Sequence, residues 1–151
     1  LQGRKIVLCR VRVADALYAT KSAPTLRILG LALSSLETRS GGAIAALTIS
    51  RDMFEKAGAT PEDADGIVQY AKSLAGARVG VLIQEVGPRD IRVSLRSDGS
   101  VDVNELAGRF GGGGHKVAAG LRVRGDLEKI RKELFAALDQ AMNGGSAPPR
   151  G

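Results

Sequence analysis

The sequence predicts an α/β fold: a mixed sheet of about four to five strands with helices packed on it, preceded by a helical segment. Three observations carry that prediction. Short apolar runs recur at 43–49, 79–86, 91–96 and 117–123, each bounded by turn residues. Between them lie stretches with apolar residues at helical spacing, several opened by N-cap signals. One strand alternates without a fault, with Ile91, Val93 and Leu95 on one face and Arg92, Ser94 and Arg96 on the other.

Residues 1–42 read as helical. Ser22 stands before Ala23-Pro24-Thr25, a helix entry with Pro in the first turn. Leu26, Leu29, Leu33 and Leu36 then repeat as one apolar stripe, and Gly41-Gly42 stops the helix and marks a boundary. Ala43 to Ile49 suits a buried strand. Thr60-Pro61-Glu62-Asp63 opens another helix with a cap hydroxyl, Pro at the first position and acids facing the positive dipole end.

Val79 to Val86 is a second strand, and Gly87-Pro88-Arg89-Asp90 turns the chain into the alternating one. Asp98-Gly99 turns it again. Asp102 and Glu105 make a capping box before Val103, Leu106, Ala107 and Phe110, a short helix running straight into a glycine run. A strand follows with Val117, Ala119, Leu121 and Val123 on one side. The last helix starts near Asp126 and carries Leu127, Ile130, Leu134, Leu138 and Ala141 at core spacing, ending at Asn143-Gly144. This divides the chain into a helical segment (1–42), a compact α/β unit (43–142) and a disordered tail (143–151).

A chain of 151 residues can bury roughly 70% of its unfolded surface, enough for a core without staples. Aromatics make up only 3%, so Leu, Val, Ile and Ala must build that core, and a surface of stacking platforms is disfavoured. Cys9 is the only cysteine, which excludes an internal disulfide and fits a reduced residue in the cytoplasm. The apolar run Ile6 to Cys9 is too short for a signal peptide, and no stretch is long enough to span a bilayer. The net charge of +6 attracts phosphates without naming one.

The residues able to carry chemistry cluster late in the chain. Gly111, Gly112, Gly113 and Gly114 precede the only histidine, His115, and then Lys116. Four ordered glycines cost several kcal/mol of backbone entropy, at about 0.5–1 kcal/mol each, so their place between a capped helix and a strand invites a reason. Backbone N–H groups there can form a nest for an anion; a flexible loop with an incidental histidine is the competing reading. The run ends in neither Gly-Lys-Ser nor Gly-Lys-Thr, so it is no P-loop, and its spacing is not a dinucleotide fingerprint. Arg92-x-Ser94-x-Arg96 with Ser97 beyond is either a solvated outer face or a set of guanidinium forks for phosphate. Asp63 and Asp65 read as helix-start and turn residues. No cluster of Asp, Glu and His suited to a two-metal phosphoesterase site is visible, so neither metal ligands nor catalytic residues are assigned.

Taken together, these residues resemble a known family. Arg109-Phe-Gly-Gly-Gly-Gly-His-Lys-Val-Ala-Ala-Gly120 looks like the signature of the DHH-associated C-terminal domain, and Arg92-Val-Ser-Leu-Arg-Ser-Asp-Gly99 with Val101-Asp-Val-Asn104 is similar to the strand, turn and helix entry before it. Ala14 to Tyr18 and Leu26 to Leu33 resemble the interdomain linker of bacterial nanoRNase/pAp phosphatases, which makes residues 1–42 a linker remnant.

The resemblance implies a substrate-binding domain of a phosphoesterase acting on short oligoribonucleotides, 3′-phosphoadenosine 5′-phosphate (pAp) or cyclic dinucleotides. It implies that two divalent ions, commonly manganese, sit on a DHH domain this chain lacks, so that the chain alone is inactive. It assigns substrate contacts to Arg96, Ser97, Gly111, Gly112, Gly113, Gly114 and His115, joined by Lys116 and, as a further candidate, Arg92 from their places in the sequence. The implied partners are nucleotide phosphates and the DHH domain, with a second copy in a homodimer as a further candidate, and no membrane. A nucleic-acid module like that ending alanyl-tRNA synthetases, or a ligand-free dimerising domain, are the alternatives.

Overall fold

The computed structural model describes residues 20–144, and all structural statements concern those residues. The start of the helical segment and the tail beyond 144 lie outside them. The predicted α/β class is what the chain adopts: a six-stranded mixed sheet with five helices, two layers of helix enclosing one sheet.

Helix α1 spans Ala23–Ser34, with the Ser22 hydroxyl accepting from the Thr25 N–H at 3.3 Å and Pro24 in its first turn. It ends earlier than expected. Strand β1, Glu37–Arg39, replaces the last turns and pairs antiparallel with β2, Ile44–Ile49. The leucine stripe also differs from expectation. Ile28 and Ala32 are buried, while Leu26 (54% exposed), Leu33 (42%) and Leu36 (44%) face outward. The helix is apolar on more than one face, so its periodicity does not choose which one docks; the small Ala32 side chain marks the face that sits on the sheet.

Between β2 and β3 (Val79–Gly87), which run parallel, the chain forms α2 (Arg51–Ala57), a 3₁₀ turn (Pro61–Ala64) and α3 (Val68–Lys72). This crossover is the one a parallel pair requires. Thr60 and Asp63 cap the turn as expected, with the Asp63 carboxylate accepting from the Thr60 N–H at 2.8 Å, but the helix itself begins only at Val68. Gly80 lets α3 lie directly on β3, since a Cβ there would stand 2.5 Å from the Lys72 nitrogen.

Strand β4 (Asp90–Ser97) is antiparallel to β3, α4 (Val103–Gly108) follows, and β5 (Gly113–His115) and β6 (Ala118–Arg124) form a hairpin at the other edge. The sheet order is β1-β2-β3-β4-β6-β5. Helix α5 (Leu127–Asn143) starts at the Asp126 cap and buries Ile130, Leu134, Phe135 and Leu138. Val117 stands outside β6, in the turn before it, and is 47% exposed.

The sheet has a core on each side. On one face Val79, Val81, Ile83, Ile91, Val93, Leu95, Ala119 and Leu121 pack under α4 and α5. On the other, Ala45, Leu47, Ile49 and Leu82 pack under α1, α2 and α3. No residue of β4, β6 or β5 belongs to that second core. Half of one sheet face is therefore left bare, and that positions the site.

Candidate functional site

The bare half-face is lined up by register. Residues directly opposite across an antiparallel ladder share a face. Arg92 stands opposite Arg122; Ser94 stands opposite Gly120, and Gly120 opposite Gly113; Arg96 stands opposite Ala118, and Ala118 opposite His115. The middle of this array is glycine and alanine, and its two ends are cationic. With strands 4.7–4.9 Å apart, the Arg96 and His115 Cα atoms are about 10 Å from one another, and the Arg92 and Arg96 rows are about 13 Å apart along the strand.

The result is a trough of about 610 Å³ lined by Arg92, Ser94, Arg96, Arg122, the glycines 111–114 and Gly120. Small residues keep its floor low while arginines rise around it. Guanidinium groups at such a floor suit phosphate oxygens, which they can meet in pairs of parallel N–H bonds.

The glycines serve shape rather than donation. The N–H groups of Gly111 and Gly112 donate to the Gly108 and Ala107 carbonyls at 3.1 and 2.9 Å, and that of Gly114 donates to the Asn104 side-chain oxygen at 2.9 Å. Those three donors are spent inside the protein, so they form no anion nest. Close approach explains the residue type instead. A Cβ on Gly112 would lie 2.6 Å from Leu121 Cβ, and one on Gly114 would lie 2.5 Å from the Ala118 carbonyl oxygen. Gly111 turns the chain out of α4 at φ +79°, in the left-handed region. The run thus turns the chain out of α4 through Gly111 and Gly112 and enters edge strand β5 at Gly113.

The predicted residues separate into two groups. Arg92, Arg96 and all four glycines line the trough. His115 shares its face by register and is exposed beside it. Ser97 does not join them. It sits on the opposite face, 9% exposed, and its hydroxyl donates to the Val101 carbonyl at 2.7 Å and accepts from the Gly99 N–H at 3.0 Å. Lys116 lies in the β5–β6 turn, where its carbonyl accepts from the Val103 N–H, away from the lining. Asp63 stays in its turn, bonded by the Thr25 hydroxyl at 2.7 Å.

One lining residue escaped the sequence reading: Arg122, which flanks Arg92, while Ser94, read on the same face as Arg92 and Arg96, supplies the hydroxyl of the floor. The alternation of Ala118-Ala-Gly-Leu-Arg-Val-Arg124 carries the signal for Arg122, because it places Arg122 on the face opposite the buried Leu121.

The electrostatics of the trough are uneven. Arg122 forms a two-pronged ion pair with Asp90, at 2.9 Å from Nε and 2.6 Å from Nη2. Hydrogen bonding from Arg122 holds the Asp90 carboxyl below the usual carboxylate range and raises the guanidinium in turn. The Glu62 carboxyl is lowered first by its own backbone N–H and the Thr60 hydroxyl, with a smaller contribution from the Arg92 charge. Arg96 donates to the Leu95 carbonyl at 2.9 Å.

This donor set does not fit a divalent cation. Among the described residues no three His, Cys, Asp or Glu side chains stand together, no carboxylate lines the trough, and Asp90, beside it, is taken by Arg122. No described helix is long and apolar enough to cross a membrane.

Comparison with known proteins agrees with this architecture. The model of the DHHA1 domain matches residues 27–144. The bifunctional oligoribonuclease and PAP phosphatase NrnA of Thermus thermophilus is 32% identical over 117 residues, covering 77% of this chain and 34% of that protein. The protein of the same name from Bacillus subtilis is 33% identical over 128 residues, covering 79% and 40%. The chain thus spans about a third to two-fifths of these relatives.

Among solved structures, an exopolyphosphatase-related protein from Bacteroides fragilis superposes with a TM-score of 0.80 at 26% identity, over 91% of this chain and 41% of that one. A pGpG-specific phosphodiesterase from Vibrio cholerae shares the fold, with a TM-score of 0.52 at 12% identity over 78% and 40%. With its glycine strand, its bare arginine-lined half-sheet and a matched stretch that runs from within α1 to the end of α5, the chain belongs to the DHHA1 domain family and is a DHH-associated domain of the nanoRNase-like kind.

Proposed function

We propose that this chain is the substrate-binding part of a DHH-family phosphoesterase that hydrolyses short oligoribonucleotides, pAp or both. The observation that carries the reading is the trough: a low floor of glycine and alanine, walled by arginines, on the half of the sheet that α1–α3 leave bare. A phosphate resting over Gly113, Gly120 and Ala118 would have Arg96 on one side and His115 on the other. Ser94 adds a hydroxyl able to donate or accept. The glycines would let a nucleotide backbone approach the sheet where any Cβ would hold it away.

In this reading the chain clamps and orients, and bond cleavage belongs to a DHH domain holding divalent ions, manganese by family resemblance, in the cytoplasm. The relatives' names support the substrate class, since both NrnA proteins are named as oligoribonucleases and PAP phosphatases.

Titrating the 151-residue chain with pAp and with a fluorescent short RNA tests the proposal. Both should bind without added manganese and remain uncleaved. Arg96→Ala should weaken binding by about 1.5–3 kcal/mol, the value of a hydrogen bond to a charged group. Unaltered affinity in that variant would remove Arg96 from the site, and absence of binding to the native chain would refute the reading.

A further inference from the structure

The proposed clamp uses one end of the trough. Beyond Ser94 the same face continues toward the β3–β4 hairpin, where Arg92 stands opposite Arg122 and Asp90 stands opposite Arg124. Three guanidinium groups and one carboxylate thus occupy two adjacent rows. Arg124 is close enough to Asp90 to help hold its carboxyl down. Asp90 is committed to Arg122 through both oxygens. Arg92 makes no hydrogen bond or ion pair among the described residues and is exposed.

The Asp90 row lies about 20 Å from the Arg96 row, and the Arg92 row about 13 Å. That span exceeds the step between neighbouring phosphates on one nucleotide chain, so a ligand whose terminal phosphate sits by Arg96 would meet Arg92 only through a later phosphodiester.

From this placement, and resting on the substrate-binding reading above, we infer that Arg92 and Arg122 form a second phosphate subsite for the chain of an oligoribonucleotide, with Asp90 as the group that restrains it. Arg92, which feels the Glu62 carboxylate but forms no ion pair among the described residues, supplies the attraction. Asp90 works through Arg122: by holding that guanidinium in a two-pronged pair it keeps one cation from the ligand and adds a negative charge near the subsite. The inference selects oligonucleotides over pAp as the ligand that fills the trough, because pAp is too short to reach both ends.

The test is the affinity of the full chain for pAp and for a five-nucleotide RNA, each measured across a salt series. The native chain should prefer the pentamer. Arg92→Ala should reduce that preference about two- to fivefold, the scale of a solvent-exposed ion pair, and should lower the salt slope for the pentamer by about 0.7, the value per phosphate on a single strand. Asp90→Asn should move the preference the other way, tightening the pentamer more than pAp.

If Arg92→Ala weakens both ligands by the same factor, or neither, the second subsite does not exist. Weaker binding of the pentamer to Asp90→Asn would overturn it equally. If the native chain binds pAp but shows no length preference, only this inference falls. If it binds neither ligand, the substrate-binding reading falls with it.

Discussion

Ser97→Ala separates two roles that the sequence motif runs together. Ser97 follows Arg96 in the segment that family resemblance assigns to the substrate, yet its hydroxyl is buried in the turn that leads into α4. There it donates to the Val101 carbonyl at 2.7 Å and accepts from the Gly99 N–H at 3.0 Å. Alanine fits the space but strands both partners. Two neutral hydrogen bonds at about 0.5–1.5 kcal/mol each put the cost at roughly 1–3 kcal/mol, out of a total stability of order 5–15 kcal/mol. For a chain of this length that corresponds to a fall in Tm of about 3–10 °C.

Urea unfolding and Tm report the stability, and titration with pAp or RNA at a temperature where both proteins are folded reports the site. The expected pattern is lost stability with affinity within about twofold of native. Arg96→Ala should show the reverse, since its side chain lines the trough and gives up one bond to the Leu95 carbonyl. A Ser97→Ala protein with native Tm and tenfold weaker binding would refute the structural role and put the hydroxyl on the ligand.

Three further outcomes follow from the same structure. Gly112→Ala should destabilise the chain by about 1–3 kcal/mol and weaken RNA binding, because its Cβ would fall 2.6 Å from Leu121 Cβ and force β5 off β6; native stability in urea would show that the run is not packed as described. Gln84 is 3% exposed and its Oε1 has no hydrogen-bond donor among the described residues, so Gln84→Leu should stabilise by roughly 1 kcal/mol, and a loss of that size would reveal a partner for the amide. The Asp63 carboxyl is lowered by the Thr60 N–H and the Thr25 hydroxyl, and that of Asp98 by the Ser100 hydroxyl and N–H. Groups with depressed folded values contribute stability above the ordinary carboxylate range near pH 4, which is lost as pH falls through their folded values. Urea midpoints between pH 6 and 2.5 should therefore decline below about pH 4, less steeply in Asp63→Asn, and a midpoint that rises on acidification would contradict the sign.

The fold was legible where side chains carry the pattern and hidden where they do not. β2, β3, β4 and β6 have apolar runs that only a buried strand explains. β1 is Glu37-Thr-Arg39, with no apolar pattern, and it is held from outside: Arg131 bonds Glu37 at 2.7 Å and Thr48 at 2.6 Å, and Arg39 lies 4.1 Å from the Phe135 ring centre. β5 is glycine, glycine and histidine, with no intrinsic strand preference, and its pairing comes from β6 alone. Both missing strands are edges made by tertiary contacts, which a local pattern cannot contain. The exposed leucines of α1 have the same origin, because choosing among several apolar faces is decided by the sheet it meets.

For the site, alternation placed Arg92, Ser94 and Arg96 on one face correctly, but whether that face is covered depends on where α1–α3 stop. Adjacency misled in a more instructive way. A linear motif groups neighbours, whereas a strand sends neighbours to opposite sides, so Arg96 and Ser97 cannot both face one ligand while both lie in β4. The period that revealed the arginines already excluded Ser97 from their company. Its place beside Arg96 has a different logic: Ser97 fastens the turn into α4, α4 presents Asn104, and Asn104 holds the Gly114 N–H at 2.9 Å. The serine thus reaches the trough through the wall it helps to position, and the motif joins one residue that lines the trough to one that fixes the glycine strand beside it.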